Sequence, residues 1–149
     1  MKEKYAFVMM IREKWWRKFC HLNREGKRVL SYVKRGWAVP KNTFLILFYV
    51  AKPVGQLGGH AEFIERKVGD ADSLWVEHGD ESVLESKEEY YEFIQHKERV
   101  SFVRFKNLQE AAKPMPLSDI LKLLGKRRLS RKGFYISKET ADKFIALIS

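Results

Sequence analysis

The sequence predicts one mixed α+β domain, a small and mostly antiparallel β-barrel or strongly curved sheet with peripheral helices. Its 149 residues suit a single domain (1–149) that buries a real core without disulfides. A long apolar strand pattern, a turn and a second strand pattern predict a dominant hairpin in the middle of the chain. Strands and helices do not alternate regularly, so a doubly wound parallel sheet is disfavoured.

The first third of the chain begins with a strand pattern and a helix pattern. Residues 5–11 are apolar and β-rich, which predicts a buried first strand. Residues 12–22 place four apolar side chains at helical spacing with basic residues between them, as in an amphipathic helix. Gly26 ends that helix. Residues 27–35 are basic with apolar positions and fit either a strand or a helical turn.

The clearest strand pattern lies at residues 43–51, which are almost all aliphatic, aromatic or β-branched. Such a run is typical of a central strand that is buried on both faces. Residues 52–59 contain a proline and three glycines, which predict a turn. Residues 60–66 then read as the returning strand of the hairpin.

The last part of the chain is predicted to be mostly helical and loop structure around two short strands. Residues 70–80 predict a loop with a short helix, and residues 82–96 an amphipathic helix capped by Ser82 with Glu85 three residues on. The remaining elements are predicted as a strand at 100–105, a connector at 108–115, a helix at 119–124 capped by Ser118 and closed by Gly125, a strand at 134–136 and a final helix after Ser137.

The net charge of +10 is divided unevenly along the chain. Residues 1–43 carry +9 and residues 99–149 carry +8, whereas residues 61–98 carry −8 and residues 44–60 only +1. Two basic ends that meet in the fold would form a positive surface able to attract a phosphate backbone. The alternative is that the basic side chains only solvate the surface and pair with the acidic segment.

Both basic segments also contain aromatic residues. Lysine and arginine neutralise phosphates, while tryptophan and tyrosine stack on unpaired bases. The residues predicted to contact phosphate are Lys27, Arg28, Arg35, Lys41, Arg127, Arg128 and Arg131, and those predicted to stack are Trp37 and Tyr135. Burial in the core is the alternative role for such aromatics. RNA is therefore the expected partner, structured RNA such as tRNA above all.

Four short motifs, at residues 7–11, 26–27, 48–53 and 59–63, give the chain a resemblance to the PUA-like superfamily. They correspond to the opening strand, a Gly-Lys step after the first helix, an apolar strand ending in Lys-Pro, and a strand that begins Gly-His-Ala-Glu. The order is most similar to the ASCH and EVE branches and to a small archaeal PUA-like family of unknown function. The resemblance implies a small β-barrel whose cleft binds RNA or a modified base.

One ASCH group hydrolyses an acylated nucleoside, so the resemblance also implies an alternative function as an ASCH-type nucleoside amidohydrolase. Lys27 and Glu62 are the candidate catalytic residues, with lysine stabilising developing charge and glutamate acting as base. Those hydrolases have a threonine three residues after the lysine, where this chain has Leu30, with Ser31 next to it. A third hypothesis is a protein-interaction domain that uses the acidic helix.

Several other classes are not indicated by the sequence. The four histidines are scattered and Cys20 is the single cysteine, so neither a metal site nor a disulfide framework is predicted, and no cofactor is expected. The longest apolar run has a strand's length, far below the roughly 20 residues of a membrane span. The charged start shows no signal peptide, and we expect a soluble, cytoplasmic protein.

Overall fold

A six-stranded sheet organises the computed structural model, which describes residues 4–36 and 38–149. The strands are β1 (Ala6–Ile11), β2 (Val29–Arg35), β3 (Leu45–Val50), β4 (Gln56–Asp70), β5 (Arg99–Pro116) and β6 (Phe134–Ile136). Their order across the sheet is β2-β5-β4-β3-β1-β6. β1 and β3 run parallel, and the other neighbours are antiparallel. The predicted stacking residue Trp37 lies outside the described residues.

The mixed α+β class is confirmed, but closure into a barrel is not. Among the described strands, β2 pairs only with β5 and β6 pairs only with β1, so each forms an edge of the sheet. The sheet is therefore open. The short β6 covers only the first half of β1, at Ala6 to Val8.

Within the described residues, five helices pack on this sheet: α1 (Glu13–Arg24), α2 (Ala71–His78), α3 (Lys87–Phe93), α4 (Leu117–Leu124) and α5 (Lys138–Ile148), with a 3-10 turn at Gly79–Glu81. Ser137 caps α5 by accepting a hydrogen bond from the Thr140 amide, as predicted. Gly125 ends α4 in the left-handed conformation, with φ of 68°. None of the described helices has the length and apolar character needed to cross a membrane.

The two parallel strands β1 and β3 bury both of their faces. This confirms the prediction for the middle of residues 43–51, but the strand begins only at Leu45, and Phe44 is 68% exposed. On one face, Phe7 and Phe48 pack against Phe19 of α1. On the other, Val8 and Leu47 pack with α4 and α5. A third apolar cluster joins α2 and α3 to the outer part of β2 and β5. The loops that follow and precede these strands therefore extend from a buried, well-packed part of the sheet.

The prediction of a helix at residues 82–96 is wrong about the residue at which the helix begins. The Ser82 hydroxyl donates to the Gly79 carbonyl and accepts the Leu84 amide, which holds a turn rather than a helix. α3 begins at Lys87 and is capped by Ser86, which accepts the Glu89 amide at 3.1 Å. Because both serines are followed by a glutamate three residues later, the capping pattern alone did not distinguish them.

The connector predicted at residues 108–115 is also wrong, because these residues continue β5 up to Pro116. They pair with the first half of β4, with Leu57 opposite Met115. Most of residues 109–114 are exposed, so the segment lacks the apolar pattern of a buried strand. Register shifts along the β4–β5 ladder mark bulges, which disturb the alternation expected of a regular strand.

Candidate functional site: a basic cleft and a buried polar cluster

The two basic ends of the chain meet at one point of the described structure. The backbone amide of Lys41 donates a hydrogen bond to the Tyr135 hydroxyl at 3.0 Å. The Tyr135 ring packs edge-on against Phe7, with ring centroids 5.0 Å apart. Lys4 lies over the same ring, its Nζ 4.9 Å from the centroid. β6 and the loop of residues 38–44, which leads into β3, are thereby joined beside the start of β1.

A cleft of about 530 Å³ opens beside this contact. We call it the mouth cleft, and its lining residues are Lys4, Lys41, Asn42, Thr43, Phe44, Phe63, Ile64, Glu65 and Arg66. It forms where β3 begins while β4 continues past it towards β2 and β5, since Leu45 pairs with Glu62 and the later residues of β4 pair with β5. The sheet therefore leaves room at this place for a ligand.

The mouth cleft combines cations, aromatic rings and an unsatisfied hydroxyl. Phe44 is 68% exposed and its ring lies 5.3 Å from that of Tyr5. Arg66 donates to the Ala38 carbonyl at 2.6 Å, which fixes its guanidinium beneath the loop. The Thr43 Oγ1 atom is buried and has no hydrogen-bond partner among the described residues.

Lys34 lies next to this region, on β2, and was not predicted as a site residue. Its Nζ donates to the Val39 carbonyl at 3.3 Å and lies 5.6 Å from the centre of the Tyr32 ring. Burial lowers the pKa of Lys34 to about 8. The Lys34 amine is therefore partly neutral near pH 8.

The structure does not bring all the predicted phosphate-binding residues to the mouth cleft. Lys27 and Arg28 precede β2, whereas the loop with Lys41 follows it. β2 has seven residues, and such a strand spans about 20 Å. Arg28 and Arg35 are exposed, and Lys27 lies 3.9 Å from Asp80. Their part in binding RNA stays a prediction.

The basic loop of residues 126–132 leads directly into β6, which carries Tyr135. Arg127, Arg128 and Arg131 are exposed in this loop, and none of them forms an ion pair within residues 4–36 and 38–149. Leu129 packs against the core and anchors the loop to the body of the protein. The three arginines are thus available to an anionic partner on the β6 side of the molecule.

A buried polar cluster, absent from the sequence-based predictions, lies on β2, β4, β5 and the 3-10 turn. The Ser31 hydroxyl donates to Glu81 at 2.8 Å. Arg104 forms two hydrogen bonds with Glu81, at 2.9 and 3.0 Å, and a third with Glu65. Ser31 and Arg104 are direct neighbours across the β2–β5 pair, so strand register brings them to the same face.

The groups around Glu81 in this cluster keep its carboxylate charged. Burial alone would raise the pKa of Glu81, but hydrogen bonds from Arg104 and Ser31 outweigh it and hold that pKa below its usual value. His78 lies with its Nδ1 3.3 Å from Glu81 and also favours the charged carboxylate. A cavity of about 10 Å³, roughly the space of one water, adjoins Ser31.

The two candidate catalytic residues have separate partners. Glu62 is exposed and accepts a hydrogen bond from the Asn107 side chain, and Lys27 faces Asp80. The described residues contain no group of three or more histidine, cysteine, aspartate or glutamate side chains arranged to hold a metal ion. Ser31 and Glu81 form a shielded hydroxyl–carboxylate pair, whereas the pair of Ser73 and Asp70 is exposed and caps α2.

Comparison with solved structures identifies the class of fold. The chain superposes on the crystal structure of an ASCH protein from Zymomonas mobilis with a TM-score of 0.78, at 20% identity over 99% of this chain and 98% of that one. A serine-to-alanine variant of that protein superposes with a TM-score of 0.79 at 19% identity, with 100% of both chains covered. A tyrosine-to-phenylalanine variant gives 0.76 at 19%, over 97% of this chain and 99% of that one.

These likenesses show that the chain has the fold of the Zymomonas mobilis ASCH protein, so the predicted resemblance is confirmed at the level of fold. No family model matches the sequence. No curated protein matches it closely enough to be assigned as a relative. The function must therefore be argued from the residues of this chain.

Proposed function

We propose that this protein binds RNA through the mouth cleft and the basic surface beside it. The observation that carries the proposal is the hydrogen bond between Lys41 and Tyr135, because it joins residues from both basic ends of the chain. A cleft with cations at its rim and an exposed phenylalanine suits a nucleic acid strand, whose phosphates and base faces need both. The partner would be a structured RNA that presents an unpaired or modified base to the cleft.

Cations in the cleft and on the β6 side of the molecule are available for phosphate contacts. Lys41 lines the cleft and is exposed, and the exposed arginines of the 126–132 loop have no acidic partner among the described residues. By contrast, Arg17 and Lys143 are paired with glutamates on their own helices. In the described part of the chain, unpaired exposed cations also occur on β5, at Lys106 and Lys113, so the proposal rests on the contact that joins the two basic ends rather than on charge alone.

Fluorescence anisotropy with a labelled RNA hairpin that has an unpaired loop tests this proposal. We expect affinity to fall steeply with salt, by about one unit of log–log slope for each phosphate contact. Lys41→Gln and Arg128→Gln should each weaken binding and lower the slope by about one. Lys143→Gln, on α5, is the matched control and should change neither. A flat salt dependence, or equal effects of all three variants, would contradict the proposal.

Hydrolysis of an acylated nucleoside is a second candidate, favoured by the 2.8 Å contact between Ser31 and Glu81. A carboxylate that accepts the serine proton is the minimal arrangement for nucleophilic attack. Two features count against it: Arg104 lowers the basicity of Glu81, and the cavity beside Ser31 has space for one water rather than a nucleoside. RNA binding is therefore the better supported function.

Incubation with N-acylated nucleosides, followed by chromatography, tests this second candidate. Release of the acyl group that is lost in Ser31→Ala and Glu81→Gln would support it. Lys27→Ala shows whether the predicted lysine takes part. No release by the native protein, or release that survives all three substitutions, would exclude hydrolysis at this cluster.

A further inference from the structure

The positive charge of the residues that line the mouth cleft exceeds the single negative charge of a phosphodiester inside an RNA strand. Among the described residues that line it, Lys4, Lys41 and Arg66 are cationic and Glu65 is acidic, and Glu65 shares Arg104 with Glu81. A phosphodiester inside a strand carries one negative charge. A terminal phosphomonoester carries about −1.5 to −2 at neutral pH and offers three acceptor oxygens. Three cations around one cleft therefore match the terminal group better than the internal one.

The apolar part of the cleft supplies a stacking surface of suitable size for one base. Phe44 leaves most of its ring exposed, at 68%, although Tyr5 supports it at 5.3 Å. Phe63 forms a second, half-buried apolar wall. The volume of about 530 Å³ lies within the usual range for small-ligand sites. Exposed phenylalanine rings stack on any base, so such a surface selects a nucleotide without selecting its identity.

One rim of the cleft is fixed before any ligand arrives. The Lys41 backbone is held in place by Tyr135, so the position from which its side chain extends is set in the free protein.

We propose that the mouth cleft binds the terminal nucleotide of an RNA strand, with its phosphomonoester among Lys4, Lys41 and Arg66 and its base against Phe44. This inference rests on the proposed RNA-binding function and names the part of the RNA that the cleft receives. The phosphate belongs to either the 5′ or the 3′ end, and both present the same chemistry to the cleft.

Calorimetry with mononucleotides tests the cleft without any RNA strand. We expect a nucleoside monophosphate to bind about tenfold or more tightly than the nucleoside that lacks phosphate. Lys41→Gln and Phe44→Ala should each weaken binding of the nucleoside monophosphate about tenfold. Lys143→Gln and Leu147→Ala, at exposed positions of α5, are the matched controls and should leave it unchanged. Equal affinity for nucleoside and monophosphate would overturn the inference.

Oligonucleotides of one sequence, with a 5′-phosphate, a 3′-phosphate or hydroxyls at both ends, identify the terminus. One phosphorylated form should bind about tenfold more tightly than the hydroxyl form. That advantage should shrink below about pH 6, where the monoester takes up its second proton. Equal binding of all three forms would refute the terminal site while RNA binding stands. Binding of mononucleotides without binding of any oligonucleotide would refute the RNA function and leave a nucleotide site.

Discussion

Replacing Arg104 by methionine removes the cation that two carboxylates share in the buried polar cluster. The Arg104 side chain is 18% exposed and that of Glu81 is 13% exposed, so their contact is largely shielded from water. Glu65 is more open, at 39%. Methionine keeps the unbranched apolar stem of the side chain and deletes only the guanidinium. The substitution therefore tests the charge rather than the packing.

The expected loss of unfolding free energy is about 3 kcal/mol at pH 7. Breaking a buried ion pair by removing one partner costs about 3–5 kcal/mol, because it leaves an uncompensated charge in a poorly solvated place. The contact with Glu65 adds little, since ion pairs with an exposed partner contribute about 0–1 kcal/mol. Domains of this kind have a total stability of about 5–15 kcal/mol, so the change is large enough to measure.

The loss should depend on pH with a defined sign. The pKa of Glu81 in the folded protein lies below its usual value, so its contribution to stability is present above the unfolded pKa of about 4.3 and is lost as pH falls through the folded pKa. In the Arg104→Met variant this contribution is absent. The difference in unfolding free energy between the native protein and the Arg104→Met variant is therefore greatest at neutral pH and shrinks as Glu81 takes up a proton.

Urea unfolding at several pH values from 7 down to about 2 measures both the size of the loss and its pH dependence. Arg99→Met is the matched control, because Arg99 is an exposed arginine on the same strand and should cost little. The double variant Glu81→Gln, Arg104→Met should lose less than the sum of the single losses, since neither partner is left charged alone. A loss below about 1 kcal/mol at pH 7, or one that is equal at pH 7 and at about pH 2, would refute the reasoning.

Three further predictions concern the sheet and the residues near the mouth cleft. Tyr135→Phe removes the hydroxyl that accepts the Lys41 amide and should lower the unfolding free energy by about 1 kcal/mol in urea titrations. Lys34 has a folded pKa of about 8, so unfolding free energy should rise from about pH 8 to pH 10 in the native protein; a Lys34→Met variant that shows the same rise would contradict this. Gly59→Ala should be strongly destabilising because its Cβ would lie 2.3 Å from a backbone carbonyl, whereas Gly69→Ala, with its nearest atom at 3.8 Å, should be tolerated in the same thermal-unfolding assay.

The strongest local patterns in the sequence predicted the central elements correctly. Residues 44–51 are continuously apolar, and the structure buries both faces of β3, at Leu45–Val50. The amphipathic pattern after residue 11 produced α1, which packs Phe19 into the core. These predictions succeeded because a strand or helix with a strong apolar pattern has few other ways to bury it. The element order was also enough to identify a resemblance that the fold comparison supports.

Polar segments were predicted less well, because their structure depends on partners that are distant in the sequence. Residues 108–115 look like a connector, yet they form half of β5 because β4 runs alongside them. Ser82 and Ser86 carry the same capping pattern, and only packing of the following turn decides that Ser86 begins the helix. Local propensity is a weak guide wherever tertiary pairing supplies the hydrogen bonds.

By itself the sequence determined that this is a mixed α+β domain with a buried central hairpin and two strongly basic ends. Only the tertiary structure decided which basic residues share a site. It joined Lys41 to Tyr135, placed Lys27 and Arg28 at the other end of β2, and paired Ser31 with Glu81. The physical reason is that charge and hydrophobicity act over short stretches of chain, whereas a site needs side chains whose distance is set by strand register and loop closure.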